Sequence, residues 1–165
     1  MGKDLLERAA AFAAHKHRHQ FRRDGVTLYV EHPKAVMAIV RDEFGVADPE
    51  TLAAALLHDT IEDTATDFDE IAERFGARVA GMVAALTKDK RLPEKRRERE
   101  YFGQLARAPL GAKLCKVADT LHNLRDTDVA HRPKALHKGQ VLLRTFRGVR
   151  PLADPLGLLR EEIER

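Results

Sequence analysis

The segment Leu56-Leu57-His58-Asp59-Thr60-Ile61-Glu62-Asp63-Thr64 sets four ionisable side chains into an otherwise apolar helical run. Ala53, Ala54, Ala55, Leu56, Leu57 and Ile61 have the character of a buried core helix. Ionisable groups are costly in such a place unless they pair with one another or hold a metal. The segment therefore asks for a packed helical fold around it and for a chemical reason behind its charges.

The rest of the chain supplies that fold. Its 165 residues are long enough to close a real core and are read as one domain spanning residues 1–165. Apolar residues recur at helical spacing, which predicts an all-α helical bundle. The first helix is expected from Asp4 to about His19, with Leu5, Leu6, Ala9, Ala10, Phe12 and Ala13 on its inner face. Gln20 to Glu31 reads as a polar loop, within which a short β-hairpin near residues 26–30 is the one candidate departure from helix. His32-Pro33 opens a second helix, with proline at a favoured first position, and Gly45 stops it. Asp48-Pro49-Glu50 is a start signal for the third helix, the one carrying the opening segment. Thr66 or Asp67 caps a fourth, Ala77 to Leu86 forms a fifth, Pro93 opens a sixth and Ala112 to about Arg125 makes a seventh. Prolines and glycines after Pro133 predict two or three short helices in the tail.

Composition narrows the function classes. The single cysteine, Cys115, excludes an intramolecular disulfide and a cysteine-based zinc site. The longest apolar runs are short and broken by charge, so neither a signal peptide nor a membrane span is expected, and a cytoplasmic setting is. A net charge of +3 and a pI near 9.1 suit an anionic small-molecule ligand without demanding nucleic acid.

Spacing then gives the chemistry. On one continuous third helix, His58 and Glu62 would lie one turn apart, as would Asp59 and Asp63. His58 and Asp59, about 100° apart around the axis, could both reach one ion. Imidazole and carboxylate together suit a borderline or hard divalent metal such as Mn, Fe, Zn or Mg. Further ligands must come from elsewhere in the chain. His32 sits at a helix start, and Asp119 lies inside the apolar run from Leu114, where a carboxylate needs a partner.

A lone histidine, then His-Asp, then a distant Asp resembles the HD-domain metal-dependent phosphohydrolases. The flanking residues make the resemblance more specific. Gln20-Phe21-Arg22-Arg23-Asp24-Gly25 with Tyr29-Val30-Glu31-His32-Pro33 looks like the opening of the RelA/SpoT hydrolase domain, and Ala54 to Thr64 looks like its central motif. Glu70-Ile71, Phe75-Gly76, Leu86-Thr87-Lys88, Lys116 to Asp119 and Leu121 to Arg125 continue the series in order. Asp89 to Pro93 and Gly111 to Leu114 look most like the stand-alone small alarmone hydrolases, including the animal SpoT homologue.

That resemblance implies a manganese ion held by His32, His58, Asp59 and Asp119, with Glu62 and Asp63 as the acidic pair that orients and deprotonates the attacking water. It places Arg22, Arg23 and Asn123 against the substrate, with Lys88 and Lys90 beside the cleft. The implied reaction removes the 3′-pyrophosphate from guanosine tetra- or pentaphosphate, a small-molecule nucleotide, with no nucleic acid or membrane partner. Another phosphorylated nucleotide, such as NADPH, stays open as the substrate, and a catalytically silent alarmone sensor is a third reading. No synthetase domain of the long RelA/SpoT proteins is expected within these residues. Neither the oligomeric state nor any role for His122, His131 and His137 follows from spacing.

Overall fold

A computed structural model describes residues 2–165, and among them it is helical from end to end. Ten α-helices follow one another: α1 (Gly2–Lys16), α2 (Glu31–Ala38), α3 (Pro49–Leu57), α4 (Thr60–Asp63), α5 (Phe68–Phe75), α6 (Ala77–Ala85), α7 (Glu94–Arg107), α8 (Leu110–Arg125), α9 (Arg132–Thr145) and α10 (Ala153–Glu164). A π-helical turn, Ile39–Glu43, prolongs α2 and closes on Gly45, whose φ of 68° is one an L side chain resists. A 3₁₀ turn, Arg150–Leu152, leads into α10. None of these helices is long and apolar enough to cross a membrane.

The core is organised around α3. Every residue from Thr51 to Leu57 is buried, and α1, α2, α6 and α8 pack against this helix. A helix apolar on all sides needs such a jacket. Its start is fixed by Asp48, whose carboxylate accepts from the Thr51 N–H at 3.2 Å and from its hydroxyl at 2.6 Å. Pro49 follows in the first turn, where a missing N–H costs nothing. The start of α8 comes very close to this core. A Cβ on Gly111 would stand 2.5 Å from Met82 Sδ and 2.7 Å from Thr51 Oγ1, so any larger residue there would have to displace both buried side chains. This close approach brings the far end of α8, with Asp119 and Asn123, alongside α2.

Four expectations are corrected. The hairpin near residues 26–30 is absent: a single antiparallel bridge joins Phe21 and Leu28, and the loop instead turns on Asp24, whose carboxylate takes the Val26 and Thr27 N–H groups and the Thr27 hydroxyl. The third helix is not continuous through the opening segment; it ends at Leu57 and restarts at Thr60. The tail holds two full helices, α9 and α10, of 14 and 12 residues. Pro133 sits in the first turn of α9 and breaks nothing, while Gly139 lets α9 press against Leu124 and Ile163. The first helix also stops at Lys16, short of His19.

Candidate metal centre

The break after Leu57 builds the site. His58 Nδ1 bonds the Ala55 carbonyl at 2.8 Å, and Thr60 Oγ1 donates to the Leu57 carbonyl at 2.7 Å. Side chains that bond nearby carbonyls compete with helix propagation. Asp59 then takes φ −101° and ψ −1°, in the sparsely populated bridge region. The kink turns His58 and Asp59 toward one point while leaving Glu62 and Asp63 on the next turn.

Two other helices supply side chains to that point. His32 comes from the first turn of α2 and Asp119 from the middle of α8. His58 Nε2 lies 2.9 Å from Asp59 Oδ2 and 3.8 Å from Asp119 Oδ1. His32 Nε2 lies 3.0 Å from Asp119 Oδ1 and 3.8 Å from Asp59 Oδ2. Ligand atoms of His32, His58 and Asp59 all fall within 4.8 Å of one another. The decisive atom is His58 Nε2. It is buried, and despite its closeness to Asp59 it has no hydrogen-bond partner of acceptable geometry. Because Nδ1 is committed to a carbonyl, Nε2 carries the lone pair in the neutral ring. An orphaned imidazole lone pair facing two carboxylates and a second imidazole fits a divalent cation.

Electrostatics agree. Burial opposes ionisation of Asp59, but His58 beside it holds its carboxyl well below the usual range. Burial likewise opposes ionisation of Asp119, and Lys116 with the two histidines outweighs it. Desolvation works against a charged His58, yet Asp59 and Asp119 raise its pKa well above the ordinary value. The pocket thus calls for positive charge, whether as a proton or as a metal ion.

A further set of groups fixes these side chains. Tyr29 donates its hydroxyl to Asp59 Oδ2 at 2.6 Å; burial and that carboxylate drive its pKa far up, so it stays a donor. Asn123 Nδ2 donates to Asp119 Oδ1 at 2.7 Å, and Lys116 Nζ to Asp119 Oδ2 at 2.7 Å. His122 Nδ1 lies 2.8 Å from His32 Nδ1. Burial and then His32 and Arg22 lower the His122 pKa to about 4, which makes it a neutral acceptor for a proton on His32 Nδ1, while His32 Nε2 bonds Asp119 Oδ1 at 3.0 Å and turns toward the centre. His122 gave no signal in the sequence because its partner is 90 positions away. Tyr29 stands in a quoted motif, yet its bond to Asp59 depends on how the loop folds back.

Glu62 and Asp63 flank the centre in different ways. Glu62 Oε1 accepts the Lys88 N–H at 2.7 Å, and burial followed by the charges of Asp59 and Asp63 raises its pKa. Asp63 Oδ1 bonds Lys90 Nζ at 2.7 Å, and its carbonyl accepts from Gln20 Nε2 at 2.8 Å.

The centre forms the floor of a two-part cleft. A chamber of about 240 Å³ contains His32, His58, Asp59, Glu62, Asp63 and Asp119. It adjoins one of about 830 Å³, with Tyr29, Lys88, Tyr101, Lys116, Asp119, Asn123 and Lys138 lining both. Arg22 lines the larger chamber and is held by Asp126 at 2.8 Å and by Asn123 Oδ1 at 3.3 Å. Arg23 lines the same chamber as an exposed residue. Lys88 reaches Glu98 at 2.7 Å and lies over the Tyr101 ring. Lys90 belongs to neither lining; its charge is spent on Asp63 at the edge. Among the sequence candidates, then, the metal ligands and the acidic pair converge, Arg22, Lys88 and Asn123 face the cleft, Arg23 stands at its rim and Lys90 stays outside.

Comparison with known proteins places this arrangement among relatives. The family described as HD domain matches residues 9–159. The mouse guanosine-3′,5′-bis(diphosphate) 3′-pyrophosphohydrolase MESH1 is 51% identical over 123 residues, covering 74% of this chain and 68% of that protein. The human MESH1 is 50% identical over the same coverage. A solved structure, described as a metazoan orthologue of SpoT that hydrolyses ppGpp, superposes with a TM-score of 0.87 at 32% identity, covering 97% of this chain and 94% of that one.

Proposed function

The chain belongs to the HD-domain family, in its RelA/SpoT-type hydrolase branch, and from that premise we propose that it is a manganese-dependent enzyme that removes the 3′-pyrophosphate of guanosine-3′,5′-bis(diphosphate). The observation that carries the metal reading is the buried, unpartnered Nε2 of His58 facing Asp59 and Asp119. In this reading His32, His58, Asp59 and Asp119 hold the ion. Two imidazoles and two carboxylates form a mixed N/O set that suits manganese better than soft-ligand metals. When bound, such an ion offers charge stabilisation to the phosphoryl group and acidifies water there.

The chain's own residues do the rest. Glu62 accepts a proton from water: its pKa is raised toward the working pH, which is where a general base is effective. The Lys88 N–H holds its other face and fixes its orientation. Asp63, tied down through Lys90 and Gln20, supplies the second carboxylate and orients the water. Tyr29 and Asn123 hold Asp59 and Asp119 in place, and Arg22 pairs with Asn123 where substrate enters. The ion-facing floor is small and polar, while the adjoining chamber has room for a nucleoside with its second phosphate arm.

The test is direct. Manganese-loaded protein given guanosine-3′,5′-bis(diphosphate) should release pyrophosphate and GDP. Bound metal without turnover, while other phosphorylated nucleotides such as NADPH are cleaved, overturns the substrate assignment. Tight binding with no cleavage of any nucleotide leaves a sensor instead.

A further inference from the structure

Helix α9, with the sequence RPKALHKGQVLLRT, holds no acidic residue. Lys134 and Lys138 stand one turn apart on the face that lines the larger chamber with Ala135 and Leu142. Like charges at that spacing weaken a helix, and nothing on α9 offsets them. Lys88 and Lys116 face the same space, but each has its own carboxylate: Lys88 Nζ is 2.7 Å from Glu98 and Lys116 Nζ is 2.7 Å from Asp119. The other acids of the chamber are engaged as well. Asp24 bonds Thr27, Asp126 bonds Arg22, and Asp128 bonds His131.

Lys138 is left over. It lines both chambers and has no carboxylate partner among the described residues. The residue as a whole is exposed, yet desolvation at the wall and the ammonium groups of Lys88 and Lys116 lower its pKa, against a smaller opposing pull from Glu98, whose carboxylate is already bonded to Lys88. An ammonium beside other ammonium groups, at the junction between the candidate metal centre and the larger chamber, is completed by an anion.

We propose that Lys138, with Lys88 and Lys116 around it, holds the phosphate arm of the nucleotide that is not cleaved, and so selects nucleotides phosphorylated at two positions over those phosphorylated at one. This rests on the hydrolase reading above for the position of the cleaved arm, but the anion subsite itself does not need turnover.

The experiment has two arms. Manganese-loaded wild type and Lys138→Ala are compared on guanosine-3′,5′-bis(diphosphate) and on guanosine 3′-diphosphate, which lacks the second arm. Loss of one charge-assisted contact should lower the ratio of the two kcat/KM values about tenfold, mainly through KM. Lys138→Arg should restore it, which a purely structural role of the side chain would not predict. In the second arm, calorimetry with inorganic pyrophosphate is run on metal-free protein, and Lys138→Ala should bind about tenfold more weakly than wild type. If wild type cleaves neither nucleotide but binds pyrophosphate through Lys138, the hydrolase reading fails and the subsite stands. If Lys138→Ala changes neither the ratio nor the pyrophosphate affinity, or lowers both kcat/KM values equally, the subsite is wrong.

Discussion

At the metal centre each candidate ligand is oriented by a neighbour: His58 by the Ala55 carbonyl, Asp59 by the Tyr29 hydroxyl, His32 by His122, and Asp119 by Asn123 and Lys116. In the larger chamber many groups are also paired, as Arg22 is with Asp126 and Lys88 with Glu98, but some stand apart. Lys138 has no carboxylate partner among the described residues, Arg23 is exposed, and Phe21 keeps 52% of its surface in solvent. The floor is built into the core through α2, α3 and α8, whereas the wall adds to α8 the helix α7, the loops after α1 and α8, and α9. A site that must stabilise charge in a transition state gains from groups fixed in advance. A site that must admit and release a polyanion gains from groups left free to rearrange. On the proposed function the contrast puts chemistry at the floor and selectivity at the wall, and it can be attacked from either side.

The largest effect should follow from removing a floor ligand. His58→Ala or Asp59→Ala should lose stoichiometric manganese by elemental analysis and about 10³-fold or more in kcat, since several kcal/mol of charge stabilisation go with the ion. Full metal content in both variants would break the assignment of the floor. Next in size is Glu62→Gln. It should keep the metal and lose about 10²- to 10⁴-fold in kcat, the range for a lost general base. The pH profile adds a sign. Glu62 works ionised, and burial with the nearby carboxylates raises its pKa, so activity should rise with pH along an acid limb displaced above the ordinary carboxylate range. In Glu62→Gln that limb should vanish from what activity remains.

Parts of this contrast could be read in the chain before any fold was known, and parts could not. The floor was legible because its cost is local: four ionisable residues in an apolar run announce themselves at Leu56 to Asp63. Asp119 was legible for the same reason, as a carboxylate inside the apolar stretch of α8. The kink at His58-Asp59 was not, because it depends on side-chain bonds to Ala55 and Leu57 that periodicity does not record. Tyr29 and His122 escaped because their roles arise from pairing across 30 and 90 positions. The wall was the least legible. Lysines on α9 look in sequence like any solvated helix face, and only the fold shows that the chamber's acids are already committed elsewhere.

A smaller effect tests whether orientation matters as much as ligand identity. Tyr29→Phe removes the hydroxyl from Asp59 without emptying the ring's place between His17 and His32. Outer groups of this kind typically cost 10- to 100-fold in metal affinity or activity, so manganese binding should weaken by about that factor. An unchanged affinity would mean that Asp59 is positioned by its backbone kink alone, which would sharpen the role of the break after Leu57.

The smallest effect separates the floor from the scaffold that carries it. Asp48 caps the start of α3, far along the same helix from His58, and bonds Thr51 and Arg78. Its carboxyl is pulled down to about 2, with Arg78 as the main cause, then Thr51 against a cost from burial. A folded-state pKa below the unfolded value of about 3.9 gives stability that is complete above that value and is lost as pH falls through about 2. Asp48→Ala should therefore cost about 1 kcal/mol at neutral pH, the usual worth of such a cap, seen as a lower Tm. The difference from wild type should shrink as pH falls from about 4 toward 2. With the protein still folded at the assay temperature, kcat should not change, because His58 and Asp59 take their geometry from Ala55, Leu57 and Tyr29 rather than from the helix start. A fall in kcat larger than the loss of folded protein would mean that the rigidity of the floor is inherited from the whole of α3, and the division between a locally fixed floor and an adaptable wall would have to be drawn further out.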